Sequence, residues 1–311
     1  MAAPSLKPVE ENGTRRPLVS VVMPTYRRPH HIAETVHSIL DQTCQDFELL
    51  VRDDSPDDET ERVVTAILDP RIRYHRNPER LAMPGNLNSG IADARGRYIA
   101  VCHDHDLHDR TRLEKMVRLF GEHEDLAFVH TGISTIREDG TSLGVDHVGD
   151  FRRYTPGPEW LRFLLSSFSC PVAADAMVPR SIYERHGLYD PDYGFIADVE
   201  MWMRLSLAGG VGFVAEPLSK IREREADHEY LGVNWRVIDS LARIHRRYSP
   251  KGYSGVSRWW SGLGLDLRLE RYIAIHYLIC VKRKDKAGRA AGRQYIRQNG
   301  RVLSRTLARL R

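Results

Sequence analysis

Cysteine is scarce in this chain of 311 residues, and the four present, Cys44, Cys102, Cys170 and Cys280, are far apart with no CxxC pair. That spacing argues against a zinc knuckle and against a disulfide framework, so the four read as small packed hydrophobes. No apolar run is long enough to span a bilayer, and Met1 to Pro17 carries no apolar core of the signal-peptide type. The expected compartment is therefore the cytoplasm. Neither a P-loop nor a GxGxxG turn follows the first apolar run, which disfavours P-loop NTPases and dinucleotide-binding proteins. Internal repeats and low-complexity segments are also missing.

What is there is an ordinary globular composition, 41% hydrophobic and 28% charged, in a chain long enough to bury a substantial core. Residues 1–17 read as a loose lead-in. Leu18 to Met23 is a short β-branched run stopped by Pro24, the mark of a buried parallel strand. A helix pattern over His31 to Gln42 follows, with Ile32, Val36, Ile39 and Leu40 on one face. Strands at Phe47 to Arg52, Arg71 to His75 and Tyr98 to Cys102 then alternate with helices at Glu59 to Leu68 and Asn86 to Ala94. That alternation predicts an α/β fold with a doubly wound, mostly parallel sheet and helices on both faces.

Two strand ends are acidic. Asp53 and Asp54 follow the second strand, and His103-Asp104-His105-Asp106 follows the fourth, so one sheet edge would carry both clusters. A carboxylate there can accept from a base or a ribose hydroxyl, and the His and Asp groups can hold a divalent cation over a diphosphate. Helix entry is the competing role for Asp104 to Asp106.

Several stretches, in order, resemble the family 2 glycosyltransferases of GT-A fold. They are VSVVMPTY (Val19 to Tyr26), HSILDQT (His37 to Thr43), FELLVRDDS (Phe47 to Ser55), Gly85-Asn86-Leu87-Asn88 and ARGRYI (Ala94 to Ile99). The likeness runs from about Leu18 to Arg222. It implies metal-dependent transfer of one sugar, with inversion, from a UDP-, GDP- or dTDP-linked donor to a carbohydrate, lipid-linked or small-molecule acceptor. Asp54 matches the residue that contacts the base, with Asp53 beside it, and Pro24, Thr25 and Tyr26 would line the nucleotide. Relatives carry Asp-x-Asp-Asp after the YIA strand, whereas here His103 and His105 fall on the first and third Asp. The implied set at nucleotide and metal is Asp104, His105 and Asp106, softer than usual and better suited to Mn²⁺ than to Mg²⁺. A local shift of frame onto Asp106, or a weakened dependence on metal, are the alternatives.

Asp198 matches the general base of the family, since an acceptor hydroxyl must lose a proton as it attacks; a helix N-cap is its plainer role. Glu200 could be an acceptor ligand or a solvated charge, and Trp202 and Trp160 a sugar platform or core. Arg180 lies in the stretch that walls the acceptor side. Arg222, Arg224 and His228 could close over the diphosphate, or form an exposed salt-bridged loop. No QxxRW motif follows, so the expected enzyme is non-processive. The altered metal motif leaves a second reading, a non-catalytic nucleotide-sugar or glycan-binding relative.

The expected organisation is a catalytic domain over 18–228, with a nucleotide half (18–106) and an acceptor half (107–228), then a helical region over 229–311. From Arg271 to Arg311 twelve Lys or Arg face one acid, a net of +11; as the whole chain is +4, residues 1–270 carry about −7. Arg289, Arg293, Arg297, Arg301, Arg305 and Arg309 are spaced four apart, a basic ridge with Tyr295, Ile296, Val302, Leu303 and Leu307 beside it. Either 271–311 docks on anionic lipid at the inner face of the membrane, or it packs on the acidic body or on a second subunit of a homodimer. Nucleic acid is not an expected partner, because the aromatic interleaving of a single-strand reader is missing.

Overall fold

A computed structural model describes residues 16–166, 170–172, 176–223, 235–253 and 255–299. The chain divides into two compact units, one of Met1–Leu164 with Ser169–Glu223 and one of Leu165–Phe168 with Arg224–Arg311.

The first unit is built on one sheet. Its strands are β1 (Val19–Thr25), β2 (Phe47–Asp53), β3 (Ile72–Arg76), β4 (Tyr98–Val101), β5 (Leu107–His108), β6 (Leu126–Ile136), β7 (Ser142–His147), β8 (Tyr154–Thr155), β9 (Met177–Pro179) and β10 (Gly210–Arg222). Its helices are α1 (Ile32–Leu40), α2 (Glu59–Thr65), α3 (Ala82–Asp93), α4 (Arg112–Glu122), α5 (Gly157–Ser166), α6 (Arg180–His186) and α7 (Ala197–Leu205). The strand order is β3-β2-β1-β4-β9-β6-β10-β5, with β7 on β6 and β8 on β10. The β3-β2-β1-β4 run is parallel, as is β6 with β10. β9 is antiparallel to both β4 and β6 and joins the two parallel blocks. The α/β architecture with a mostly parallel sheet is as the alternation of elements implies, and one continuous sheet spans residues on both sides of 106.

Every residue of β2 is buried, including three charged ones. Burial of a charge is tolerable only when it is paired. Glu48 accepts from Ser20 Oγ at 2.6 Å and from Arg73 and Arg95 at 2.7 and 2.8 Å. Burial raises its proton affinity, but the bonds from Ser20 and Arg95 outweigh that and hold the carboxyl below its ordinary value. Ile32, Val36 and Ile39 bury the inner face of α1 against Val21, Met23, Leu49 and Val51.

The ARGRYI stretch has a steric reason. Gly96 N donates to Ser20 Oγ at 2.8 Å, and a Cβ at Gly96 would stand 2.5 Å from Ser20 N. Only glycine lets the chain pass β1 so closely. Register then sets the edge that matters: Thr25 pairs with Asp53, so β1 and β2 finish together, while β4 ends at Val101 opposite Val22 and hands over to residues 102–106 beside the end of β1.

The second unit contains α8 (Trp235–Gly252), α9 (Gly255–Lys282) and α10 (Lys286–Asn299). Trp235, Ile238, Ile273, Tyr277, Cys280, Tyr295 and Ile296 form its core. Trp235 Nε1 donates to the Gly288 carbonyl at 2.9 Å, and Arg293 Nε to Tyr277 Oη at 3.0 Å. Tyr295 and Ile296 are thus spent on packing within this unit. The ridge beyond Asn299 lies outside the described residues. Among the described residues no helix is long and apolar enough to cross a membrane.

Candidate functional site

Thr25, at the end of β1, donates its hydroxyl to Asp104 Oδ2 at 2.6 Å. The other oxygen of Asp104 lies 2.8 Å from His105 Nδ1. Burial raises the proton affinity of Asp104, but the His105 and Thr25 bonds outweigh it and hold the carboxyl below its usual range. An ionised carboxylate only accepts, so the hydrogen bond assigns the proton of His105 to Nδ1. That leaves the Nε2 lone pair pointing away from Asp104, toward Asp106 Oδ1 at 3.8 Å. His103 Nδ1 meets the other oxygen of Asp106 at 3.1 Å, and the two imidazoles lie parallel with centroids 5.7 Å apart.

His103, His105 and Asp106 each offer a ligand atom within 4.8 Å of the others. These residues fit a divalent cation. The 3.8 Å between His105 Nε2 and Asp106 Oδ1 is too long for a hydrogen bond, yet suits two donors sharing an ion at about 2.1 Å each. Asp104 behind His105 is the carboxylate that orients a ligating imidazole. Of the expected set of Asp104, His105 and Asp106, Asp104 has its two oxygens on Thr25 and His105, and it is His103 that stands with His105 and Asp106 in the group that could hold an ion.

Asp198, in the first turn of α7, keeps part of its exposure. Desolvation nevertheless raises its proton affinity above the ordinary carboxylate value, against smaller opposing effects of the Val199 N–H and of His103. The N-cap position of α7 belongs to Ile196, so capping is not the role of Asp198. His103 is thus close enough to Asp198 for its charge to act on the carboxyl. The Cys170 thiol is pushed up to about 12 by burial and by the Asp198 charge, an inert neighbour at neutral pH.

Asp54 accepts from Asn77 Nδ2 at 2.7 Å and from the Ala82 N–H at 2.8 Å. It thereby shapes the loop that enters α3. Asp53 accepts from Tyr74 Oη and Ser55 N, each at 2.7 Å, and holds the turn rather than facing outward. Tyr26 is partly exposed, with the Arg80 guanidinium 4.2 Å and that of Arg27 5.4 Å from its ring centre. Pro24 is likewise partly exposed at the end of β1. Arg28 is close enough to Asp104 to help hold it ionised.

Other expected ligands go elsewhere. Arg222 is buried, with Nε on the His105 carbonyl at 2.8 Å, Nη2 on Glu34 at 2.8 Å, and Nη1 on the Arg137 and Glu138 carbonyls. Its own N–H donates to Asp106 Oδ1 at 2.9 Å. It braces the cluster, and its guanidinium is bonded within the protein instead of standing free at the surface. Arg180 follows β9 at the amino end of β4, bonded to the Ala94 carbonyl and to Glu184, on the sheet edge opposite the cluster. Glu200 is fully buried and paired with Arg204, which also caps the Gly187 and Leu188 carbonyls. Trp202 is core, 4.9 Å from Phe128 between ring centres, and Trp160 packs 5.2 Å from His130. Arg224 and His228 lie outside the described residues.

Two positioning residues were not singled out from sequence. Asn86 Nδ2 donates to the Arg52 and Thr25 carbonyls at 2.9 and 3.3 Å, tying the ends of β2 and β1. Asn88 exchanges two bonds with Tyr189, giving to its carbonyl at 2.8 Å and accepting from its N–H at 3.0 Å, and so ties α3 to the loop before α7. The Gly85-Asn86-Leu87-Asn88 signature carried the signal.

The glycosyl transferase family 2 model matches residues 20–187. An uncharacterized glycosyltransferase of Haemophilus influenzae is 27% identical over 281 residues, 87% of this chain and 83% of its own. One from Rickettsia felis is 29% identical over 218 residues, and the chain spans only 35% of that longer protein. The putative teichuronic acid biosynthesis glycosyltransferase TuaG of Bacillus subtilis is 34% identical over 130 residues, 41% of this chain and 51% of its own. The crystal structure of S. aureus TarS 1–349 in complex with UDP-GlcNAc superposes with a TM-score of 0.63 at 15% identity, covering 90% of this chain and 80% of that one. On the extent of the family match, the chain belongs to glycosyl transferase family 2.

Proposed function

We propose that this chain is an inverting, non-processive glycosyltransferase that moves one sugar from a nucleoside diphosphate sugar to an acceptor hydroxyl. The observation that carries this reading is Asp198, a carboxyl with raised proton affinity set beside the His103 cluster. The acceptor oxygen forms the new bond to the anomeric carbon, the bond from that carbon to the diphosphate oxygen breaks, and the acceptor proton passes to Asp198. Tyr26, Arg80 and the Asp54 loop receive the nucleotide.

His103, His105 and Asp106 would hold the cation, with Asp104 orienting His105. A cation bound there supplies positive charge against the departing diphosphate. Two imidazoles with one carboxylate favour Mn²⁺ over Mg²⁺. UDP-GlcNAc, the ligand in the TarS structure, is the first donor to try. A cell-envelope glycan or its lipid-linked precursor, assembled in the cytoplasm, is the acceptor class that the TuaG likeness favours.

Asp198→Asn should lower the transfer rate about a thousandfold while binding of the nucleotide, followed by calorimetry, survives. Full turnover by that variant would remove the mechanism. Wild-type protein that binds donors tightly but transfers to no acceptor in a panel would favour a non-catalytic nucleotide-sugar binder, the reading the His-substituted motif admits.

A further inference from the structure

The outer face of α9 is apolar and basic at once. Leu267, Ile275, Leu278 and Val281 retain 64%, 44%, 49% and 42% of their accessible surface. Arg271 and Lys282 are exposed in the same rows, and 267, 271, 275, 278 and 282 follow the four-and-three spacing of a single helix face. The opposite face is spent, with Ile273, Tyr277 and Cys280 in the core of the unit. From Leu267 onward the only exposed charges on α9 are basic, since Glu270 is buried. Exposed Arg283, Lys284 and Lys286 continue the charge past the helix end.

From this arrangement we propose that the α9 face docks on the surface of an anionic lipid bilayer. Across 235–299 fifteen Lys or Arg stand against four acids. A second copy of this unit would bring like charge onto like charge, whereas a bilayer offers hydrocarbon for Ile275 and Leu278 and phosphates for Arg271 and Lys282. The stripe is short and interrupted by charge, so it lies in the interface and does not span. This proposal is independent of the sugar-transfer reading.

The test is co-sedimentation of the full chain with vesicles of phosphatidylcholine alone and of phosphatidylcholine doped with phosphatidylglycerol. Binding is expected to the doped vesicles only, and to weaken as salt is raised. Ile275→Asp with Leu278→Asp should weaken it at least about tenfold with the thermal midpoint unchanged. Should that variant fold poorly, Arg271→Glu with Lys282→Glu at these exposed sites should produce the same loss. No binding to the doped vesicles at low salt overturns the proposal, as does binding that both variants retain. A wild-type dimer in sedimentation velocity that the same substitutions dissociate, with vesicles left unbound, would make the face a self-association surface instead.

Discussion

Asp198 and Asp104 respond to burial in opposite directions because only one of them has been given strong donors. Asp198 is desolvated with little compensation, so the folded chain binds its proton more tightly than the unfolded chain does. Its ionisation therefore costs stability as pH rises from the ordinary carboxylate value through the raised one. Asp198→Asn should raise the melting temperature at pH 7 while removing activity; a lower melting temperature would show that the charge is not strained. In the wild type the acid limb of kcat/KM should fall above the range of an ordinary carboxylate. Asp104 has the reverse sign: its lowered value gives stability that is present at neutral pH and lost as pH falls through that value. Asp104→Asn frees the orientation of His105 and should weaken Mn²⁺ binding by about 10- to 100-fold in calorimetry. Unchanged affinity would mean that Asp104 does not position the ligand.

At the level of elements, the site depends on close approaches that tolerate little change. Gly96→Ala would place a methyl group against the β1 backbone, with Ser20 N at 2.5 Å, so β1 or β4 must move. A loss of about 1–3 kcal/mol in denaturant unfolding is expected, and wild-type stability would contradict the steric reason given for the motif. The apolar runs of β1, β2 and β4 were legible because a buried parallel strand leaves a compact β-branched signature. Even there boundaries moved: past the kink at Met83 the continuous turns of α3 start at Pro84, two residues before Asn86, and the Asp54 carboxylate holds the segment before them. The long β6 was unread, because its pairing with β9 is set across more than forty residues of intervening chain and not by local pattern. The same limit explains the side chains that were misplaced. Arg222 looked like a free phosphate ligand because its partners at Arg137 and Glu138 lie over eighty residues away. Glu200, read as an acceptor ligand or a solvated charge, is buried and paired with Arg204 four residues on; the Gly187 and Leu188 carbonyls that hold Arg204 are what spacing does not show. Residue types at the cluster were visible in the sequence, but that Asp104 is held by a hydroxyl from a different strand, Thr25, was not.

Charge is divided across the molecule, and the division constrains how a diphosphate is captured. Residues 1–223 carry 26 Lys or Arg against 35 acids, so the unit bearing the cluster is net negative even though the whole chain is +4. A nucleoside diphosphate sugar is itself an anion and is repelled at long range by such a body. On the proposed function, attraction must then come from a few local groups, with Arg27 and Arg80 over Tyr26, Arg28 near Asp104, and a cation that His103, His105 and Asp106 would hold. Salt screens the distant repulsion more than these short contacts, because the Debye length is about 8 Å at physiological ionic strength. Raising NaCl should therefore leave the donor KM unchanged or lower it, while chelation of the cation should raise it at least about tenfold. A donor KM that climbs steeply with salt would mean that long-range attraction, and not the local cluster, gathers the substrate. Membrane docking through α9 should respond with the opposite sign, since there the basic unit meets an anionic surface and screening weakens the encounter. One salt titration that follows donor KM and vesicle binding together thus separates the two halves of the charge distribution by the direction in which each moves.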